Sequence, residues 1–344
     1  MMEFVLYTDI EQLPESANVL FAQGEKDSIF FSRPWFENLA ATAFTNAQSM
    51  LLACVVQGDK VLAILPLMER SGSTLYSVRH RYTSLYSLLL ADNNQKQVLR
   101  CLVQGLRTLA FDSLLLEPVC ENDQRIKSLL SSMEASGFHC HRNFRFYNWF
   151  HKVQGQSYQD YITDRPARLL NTIARKKRKL EREQGYDIRL FIGDEALKAM
   201  SDYYTIYRAS WKANEQYAGL LDGMLSAFSK AGWSRLAILY IKGQPAAAQL
   251  WFVLDKKASI FRLAHDENWK QYSPGSILTS YLMEHVIDSE QVEEIDFLTG
   301  NEAYKQDWMS ERRERWALSC VKSSEPKGRF DLFVKSLKRI FIRP

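Results

Sequence analysis

The residue types best suited to polar catalysis cluster in the C-terminal third of the chain. Such catalysis needs a group that takes or gives a proton and a group that stabilises developing charge. Three residues are catalytic candidates: Lys305, Asp296 and His265. Lys305 follows the Thr299-Gly300-Asn301 turn and the aromatic Tyr304, a setting that partly desolvates an ammonium. As a cation it would stabilise an oxyanion; with a depressed pKa it would act as a base. The plainer alternative is a surface lysine on a short amphipathic helix, with Tyr304 and Trp308 as core. Asp296 lies inside the apolar run Ile295-Asp296-Phe297-Leu298, and a buried carboxylate needs a partner. It either orients a reacting group or pairs with Lys305, Arg262 or an arginine of the last strand. His265 is a base or simply a strand-end histidine. Glu302 is a further carboxylate beside the Gly300 turn. Trp211, Gln249, Tyr304 and Arg168 are candidates for binding the acceptor, with Tyr207 and Trp251 beside them.

The elements that must position these groups are legible. Lys257 to Leu263 carries β-formers and predicts a strand. Ser273-Pro274-Gly275-Ser276 predicts a helix start, with Ser273 at the N-cap and Pro274 at the first helical position. Ile277, Leu278, Tyr281, Leu282, His285 and Val286 then share one helical face. A strand feeding a helix whose start carries glycine and serine presents free N–H groups and a positive dipole end, which suits phosphate. Ser273, Gly275 and Ser276 are therefore candidates for holding the phosphates of a cosubstrate; an ordinary capped helix is the alternative.

A second stretch, Arg165 to Arg182, is strongly basic, with Glu181 its one acid. Arg168, Arg175 and Arg182 recur every seventh position with Arg178 beside them, and Leu169, Ile173 and Leu180 lie on another face. Gly185 ends the helix. Three readings compete: a solvated charged helix, a nucleic-acid contact, or arginines gripping an anionic donor or acceptor through their planar forks. On the last reading Arg175 and Arg178 join the cosubstrate-binding candidates.

The chain has 344 residues and a net charge of +4, long enough for about two domains. Its five cysteines are scattered without a Cys-x-x-Cys pair, which reads as reduced thiols. Cys140 between two histidines lacks a second ligand cluster, so no metal is expected. The N-terminal segment lacks the basic start of a signal peptide, and no apolar run is long enough to span a bilayer. Residues 327–344 combine six basic side chains with an apolar helical stripe from Phe330 to Phe341. That tail predicts either a docked terminal helix or a basic amphipathic helix on a membrane surface. There is no Ser-His-Asp pattern, Walker motif or Gly-x-Gly-x-x-Gly, which argues against a hydrolase, a kinase and a Rossmann enzyme.

In chain order the first half reads strand, helix, antiparallel strands around Gly58-Asp59, helix, strand, helix, strand. The second half repeats that order without sequence identity. These features, with Ser273-Pro274-Gly275, Asp296-Phe297, Gly300, Tyr304-Lys305, Trp308 and the basic stretch from Arg165 to Gly185, resemble the GNAT acyltransferase superfamily. Within it they resemble the branch of CelD-like proteins of cellulose and exopolysaccharide clusters, with Fem-type peptidoglycan aminoacyltransferases as distant relatives. The resemblance spans roughly residues 160–320. It implies an α/β (α+β) fold of two GNAT-like modules in tandem, each a mixed, mainly antiparallel sheet flanked by helices. The expected division is a degenerate module over 1–155, a basic linking helix over 156–186, a transferase module over 187–325 and a basic tail over 326–344. The first half lacks a glycine at the start of its Asn94 helix, which is why it reads as degenerate. The implied reaction moves an acyl group, acetyl first, from acetyl-CoA or another acyl-CoA to an amino or hydroxyl group of a sugar or cell-envelope precursor. The implied setting is the cytoplasm, peripheral to the inner membrane. The alternatives are an aminoacyl-tRNA donor, which would bring RNA to the arginine helix, and a catalytically silent scaffold in a polysaccharide synthesis complex.

Overall fold

In the computed structural model, which describes residues 1–44, 49–69, 72–212 and 217–322, local chemistry sets most element boundaries. The tail at 327–344 lies outside the described residues. The chain begins with β1 (Glu3–Tyr7), α1 (Ala17–Glu25), α2 (Arg33–Thr42), β2 (Ser49–Gln57), β3 (Lys60–Glu69), β4 (Thr74–Ser77) and β5 (Leu89–Leu90). It continues through α3 (Gln95–Thr108), β6 (Ser113–Cys120), α4 (Gln124–Ala135), β7 (Phe138–Lys152), α5 (Tyr158–Thr163) and α6 (Ala167–Glu183). Then follow β8 (Asp187–Ile192), α7 (Asp194–Lys198), α8 (Met200–Arg208), α9 (Ala218–Lys230), β9 (Ser234–Ile241), β10 (Gln244–Leu254) and β11 (Lys257–His265). The last elements are α10 (Pro274–Glu284), β12 (Glu294–Thr299), α11 (Lys305–Trp308) and β13 (Glu311–Lys322). Ser32 caps α2 by accepting from the Trp35 N–H at 3.2 Å, with Pro34 in the first turn. Gly58 takes φ +57° in the two-residue turn joining β2 to β3.

The chain forms two compact units, Met1–Phe146 together with the strand from Glu314, and Tyr147–Arg313. Each is a mixed, mainly antiparallel sheet flanked by helices, the α/β (α+β) class in the two-module form expected. In the first unit the strand order is β1-β2-β3-β4-β6-β13, with β5 on β3. In the second it is β7-β12-β11-β10-β9-β8. Each sheet contains a parallel pair joined through a helix: β4 and β6 around α3, and β11 and β12 around α10. Both crossover helices follow a residue in the left-handed region, Asn94 at φ 56° and Ser273 at φ 51°.

The parallel pair of the first unit is sealed by its own side chains. Pairing runs from Thr74↔Ser113 to Tyr76↔Leu115. Beyond it the Ser77 hydroxyl donates to the Glu117 carbonyl at 2.7 Å and accepts from the Glu117 N–H at 3.0 Å. The buried Glu117 carboxylate is neutralised by Arg79 at 2.5 Å and Arg145 at 2.7 Å. Two ion pairs are what allow a carboxylate to sit this deep.

Three sequence expectations take a different form. β13, placed by chain order in the second module, pairs antiparallel with β6, with Cys320 opposite Leu114. The stretch read as a linking helix divides into α5 and α6, and Leu169, Ile173 and Leu180 of α6 belong to the core of the second unit. Cys140 and Cys320 form a disulfide rather than staying reduced, while Cys54, Cys101 and Cys120 are free. Strand pairing brings Cys140 and Cys320 together across 180 residues of sequence, which spacing alone cannot reveal.

Leu180 is fully buried in that core. Leu180→Ala should lower the unfolding free energy by about 2–5 kcal/mol in a urea titration. A change near zero would show that α6 is not packed as described.

Candidate acyl-transfer site

The site begins with a pairing that stops. β11 and β12 pair in parallel at Lys257↔Glu294, Ala258↔Ile295 and Ser259↔Asp296, and no further. β11 continues along β10, with Leu263 opposite Gln249 and His265 opposite Ala247. β12 turns to β7, reaching Thr299↔Asn148 through a register shift. The two strands therefore part into a wedge whose edges face no strand partner among the described residues. An extended, amide-bearing ligand can pair with such an edge.

The buried Asp296 side chain bends β12 away. It accepts from the Leu298 N–H at 2.6 Å and the Asn148 side-chain amide at 2.5 Å, and it pairs with Arg313 at 2.5 Å. The first bond holds Leu298 in the left-handed region at φ 55°. Burial works against the Arg313 charge, but Asp296 and Glu294 outweigh it and raise the guanidinium pKa. The last-strand arginine, one of the partners the sequence offered for Asp296, is found beside it as Arg313.

Lys305, also buried, fixes the turn that follows. Its Nζ donates to the Phe297 carbonyl at 3.3 Å and the Thr299 carbonyl at 2.5 Å, and pairs with Glu302 at 3.0 Å. An ammonium has three donors, and all three find protein acceptors here. The Gly300 φ is +114°, a backbone conformation that favours glycine, while the nearby Glu302 carboxylate, at the end of an exposed side chain, could move aside. Tyr304 stays 42% exposed with its ring edge-on to Phe297.

The other wall of the wedge ends in a second cluster. The His265 ring lies 4.6 Å from Trp211, which is 52% exposed, and a Cβ on Gly275 would sit 3.7 Å from His265 Nδ1. His265 is thus beside the start of α10. Its pKa is lowered, first by burial and then by Lys212 and Lys270, against the opposing pull of Glu267 and Asp266. Ser273 departs from the expected N-cap: its side chain makes no cap hydrogen bond, and its carbonyl takes the N–H groups of Ser276 and Ile277. The left-handed backbone at Ser273 turns the chain into the helix and leaves the Gly275 end open toward His265. Gln249, buried, donates to the Gly275 carbonyl at 2.9 Å and Thr279 Oγ1 at 2.7 Å and accepts from Trp251 Nε1 at 2.9 Å. Its amide holds α10 against the sheet.

The basic helix contributes through neighbours of the residues singled out. Arg175 and Arg178 are exposed, whereas Lys176 donates to the Gln271 carbonyl just before α10 and Lys177 reaches Ser280 at 3.3 Å. One residue along a helix is a 100° turn, so a heptad count that is off by one selects the wrong face. Arg168 pairs with Asp307 of α11. Lys212 was also missed: its Nζ donates to the Leu263 carbonyl of β11 at 2.5 Å, 5.5 Å from the Trp211 ring. Its position next to Trp211 was the available signal. The structure thus forms two clusters, His265 with Trp211, Gly275 and Gln249 on one wall, and Asp296 with Lys305 and Tyr304 on the other.

Residues 167–306 match the family model of the acetyltransferase (GNAT) domain. The matched stretch lies within the second unit and covers less than half of the chain. No curated protein matches the chain. Among solved structures, FemX superposes with a TM-score of 0.63 at 11% identity, over 89% of this chain and 96% of that one. A tandem GNAT protein from the clavulanic acid biosynthesis pathway gives 0.54 at 12% identity, over 95% and 99%. L-PGS from Bacillus licheniformis gives 0.51 at 10% identity, over 89% and 96%. At these identities the likeness is one of fold. Among the described residues no group of His, Cys, Asp and Glu side chains is arranged to hold a metal.

Removing either anchor of the β12 wall should loosen the fold. Asp296→Ala, which leaves Arg313 without its closest partner, should cost about 3 kcal/mol of stability. Lys305→Met, which orphans two carbonyls, should cost about 1–3 kcal/mol. Thermal and urea unfolding check both; variants as stable as the parent would refute the anchoring roles.

Proposed function

We propose that the second unit transfers an acyl group from a CoA thioester, acetyl-CoA first, to an amino or hydroxyl group of a saccharide or cell-envelope precursor. The observation that carries this is the parting of β11 from β12 next to the open start of α10. Donor phosphates would lie at Gly275 and Ser276, where a helix N-terminus favours negative charge. The amide-bearing arm would follow the free strand edge into the wedge. The acceptor nucleophile attacks the thioester carbon, a C–N or C–O bond forms, and the C–S bond breaks. The proton lost by the nucleophile is balanced by the one gained by the departing thiolate.

On this reading His265, beside the phosphate position, anchors the donor rather than acting as a base. Lys305 and Asp296 position the opposite wall, since their polar atoms are engaged within the protein. The exopolysaccharide setting and a cytoplasmic site at the inner membrane rest on the sequence resemblance; among the described residues no helix is long and apolar enough to cross a membrane. A second reading keeps the transfer but takes an aminoacyl-tRNA as donor. It is favoured by the exposed Arg175, Arg178 and Arg182 on α6.

Calorimetric titration with acetyl-CoA tests the first reading. Binding should be lost in Gly275→Phe, while Gly275→Ala, whose Cβ makes an ordinary contact, retains both fold and binding. Binding of aminoacyl-tRNA with none of acetyl-CoA would replace the first reading by the second; binding of neither would leave a scaffold.

The pH dependence has a definite sign. A neighbouring phosphate stabilises protonated His265, so its pKa is higher in the complex than in the free protein. The added affinity is complete below the free-state value, which lies under the usual histidine range near 6.5, and is lost as pH rises through the bound-state value. Acetyl-CoA should therefore bind more tightly as pH falls toward about 5.5. His265→Gln should flatten that curve, and an unchanged curve would remove His265 from the donor site.

A further inference from the structure

The first unit has a charged feature that the transfer chemistry does not use. α3 and α4 enclose a half-open groove of about 1040 Å³. One wall carries Lys96, Arg100 and Arg107 of α3; the other carries Lys127, Ser128 and Ser131 of α4. No carboxylate lines it among the described residues. The sequence of α3, QKQVLRCLVQGLRT, contains no acid at all.

Several other cations in this unit are paired. Arg33 meets Glu37 at 2.6 Å, Arg125 meets Asp27 at 2.8 Å, and Arg79 and Arg145 share Glu117. Lys96, Arg100 and Lys127 are exposed along the groove, and no ion pair is formed by any of them among the described residues. Lys96 and Arg100 stand four residues apart on one helical face, a like-charge spacing that destabilises a helix. Gln104 and Arg107 extend the same face, so the stripe runs about 16 Å from Lys96 to Arg107. Arg107 is steadied by donating to the Ser136 carbonyl just beyond α4. Cations alone would describe a solvated face. Cations with no counter-charge, opposite a row of hydroxyls and inside a concave groove, describe a surface complementary to an elongated anion that also bears hydrogen-bonding groups.

We propose that the α3–α4 groove binds a phosphate- or diphosphate-bearing ligand, either a soluble phosphorylated compound or the headgroup of an anionic lipid. The arginine and lysine side chains meet the phosphate oxygens, and the serine hydroxyls meet the neighbouring polar groups. This site is separate from the donor position at α10, and the proposal does not depend on the acyl-transfer reading.

The test uses the full chain and two probes, inorganic tripolyphosphate followed by calorimetry and phosphatidylglycerol-containing vesicles followed by sedimentation. The variant is Lys96→Gln/Arg100→Gln/Lys127→Gln, whose positions are exposed, with an unchanged melting temperature as the check on folding. Gly275→Phe serves as the control for binding at α10. Binding of either probe that weakens about tenfold or more in the triple variant, persists in Gly275→Phe and falls with added salt supports the groove. Loss of tripolyphosphate binding identifies a soluble phosphate ligand; loss confined to vesicles identifies a lipid headgroup. Equal binding by parent and triple variant, loss in Gly275→Phe instead, or no binding of either probe by the parent overturns the proposal.

Discussion

The second unit depends on one buried carboxylate at the point where two parallel strands separate. β11 and β12 pair only as far as Ser259 and Asp296. Asp296 then takes the Leu298 N–H, the Asn148 amide and the Arg313 guanidinium, which commits β12 to β7 instead of β11. A charged group this deep is tolerable only with its partners in place. The bend in β12 is therefore tied to the Arg313 pair, and the wedge is tied to the bend.

The comparison between the two units shows how the same topology can be open or shut. In each, a parallel pair is joined through a helix that follows a left-handed residue. In the first unit Ser77 bridges both backbone groups of Glu117, so the strands remain sewn beyond their last paired residues. In the second unit Asp296 and Lys305 take β12 groups for the turn, and beyond Ser259 β11 has no second strand partner among the described residues. What distinguishes them is where a few side-chain hydrogen bonds are directed.

The roles of the polar residues also shift once their partners are known. Lys305, Asp296 and Gln249 have the types expected of catalytic or binding groups, yet their hydrogen bonds go to the protein itself. They shape the wedge. His265, Trp211 and Gly275 instead lie together at the start of α10, with Lys212 and Lys176 reaching the adjoining backbone. The buried side chains hold the backbone of the wedge still.

The sequence by itself determined much of the secondary structure, because that follows from local chemistry, although α1 is not among the elements read from it. The Ser32-Arg33-Pro34 helix start, the Gly58 turn, the left-handed Gly185 that ends α6, and the apolar face of α6 are all properties of a few neighbouring residues. The Ser273-Pro274-Gly275 helix start and the Gly300 turn are local features of the same kind. Tertiary structure alone decided which strand β13 joins, that Cys140 meets Cys320, that β11 and β12 part after three pairs, and which face of the basic helix turns toward α10. Each of these depends on contacts between residues far apart in the chain, or on a rotation of one residue about a helix axis, and neither leaves a local pattern to read. Whether a buried lysine or aspartate acts on a substrate or on its own backbone is decided in the same way, by whatever acceptors the folded chain brings within about 3 Å.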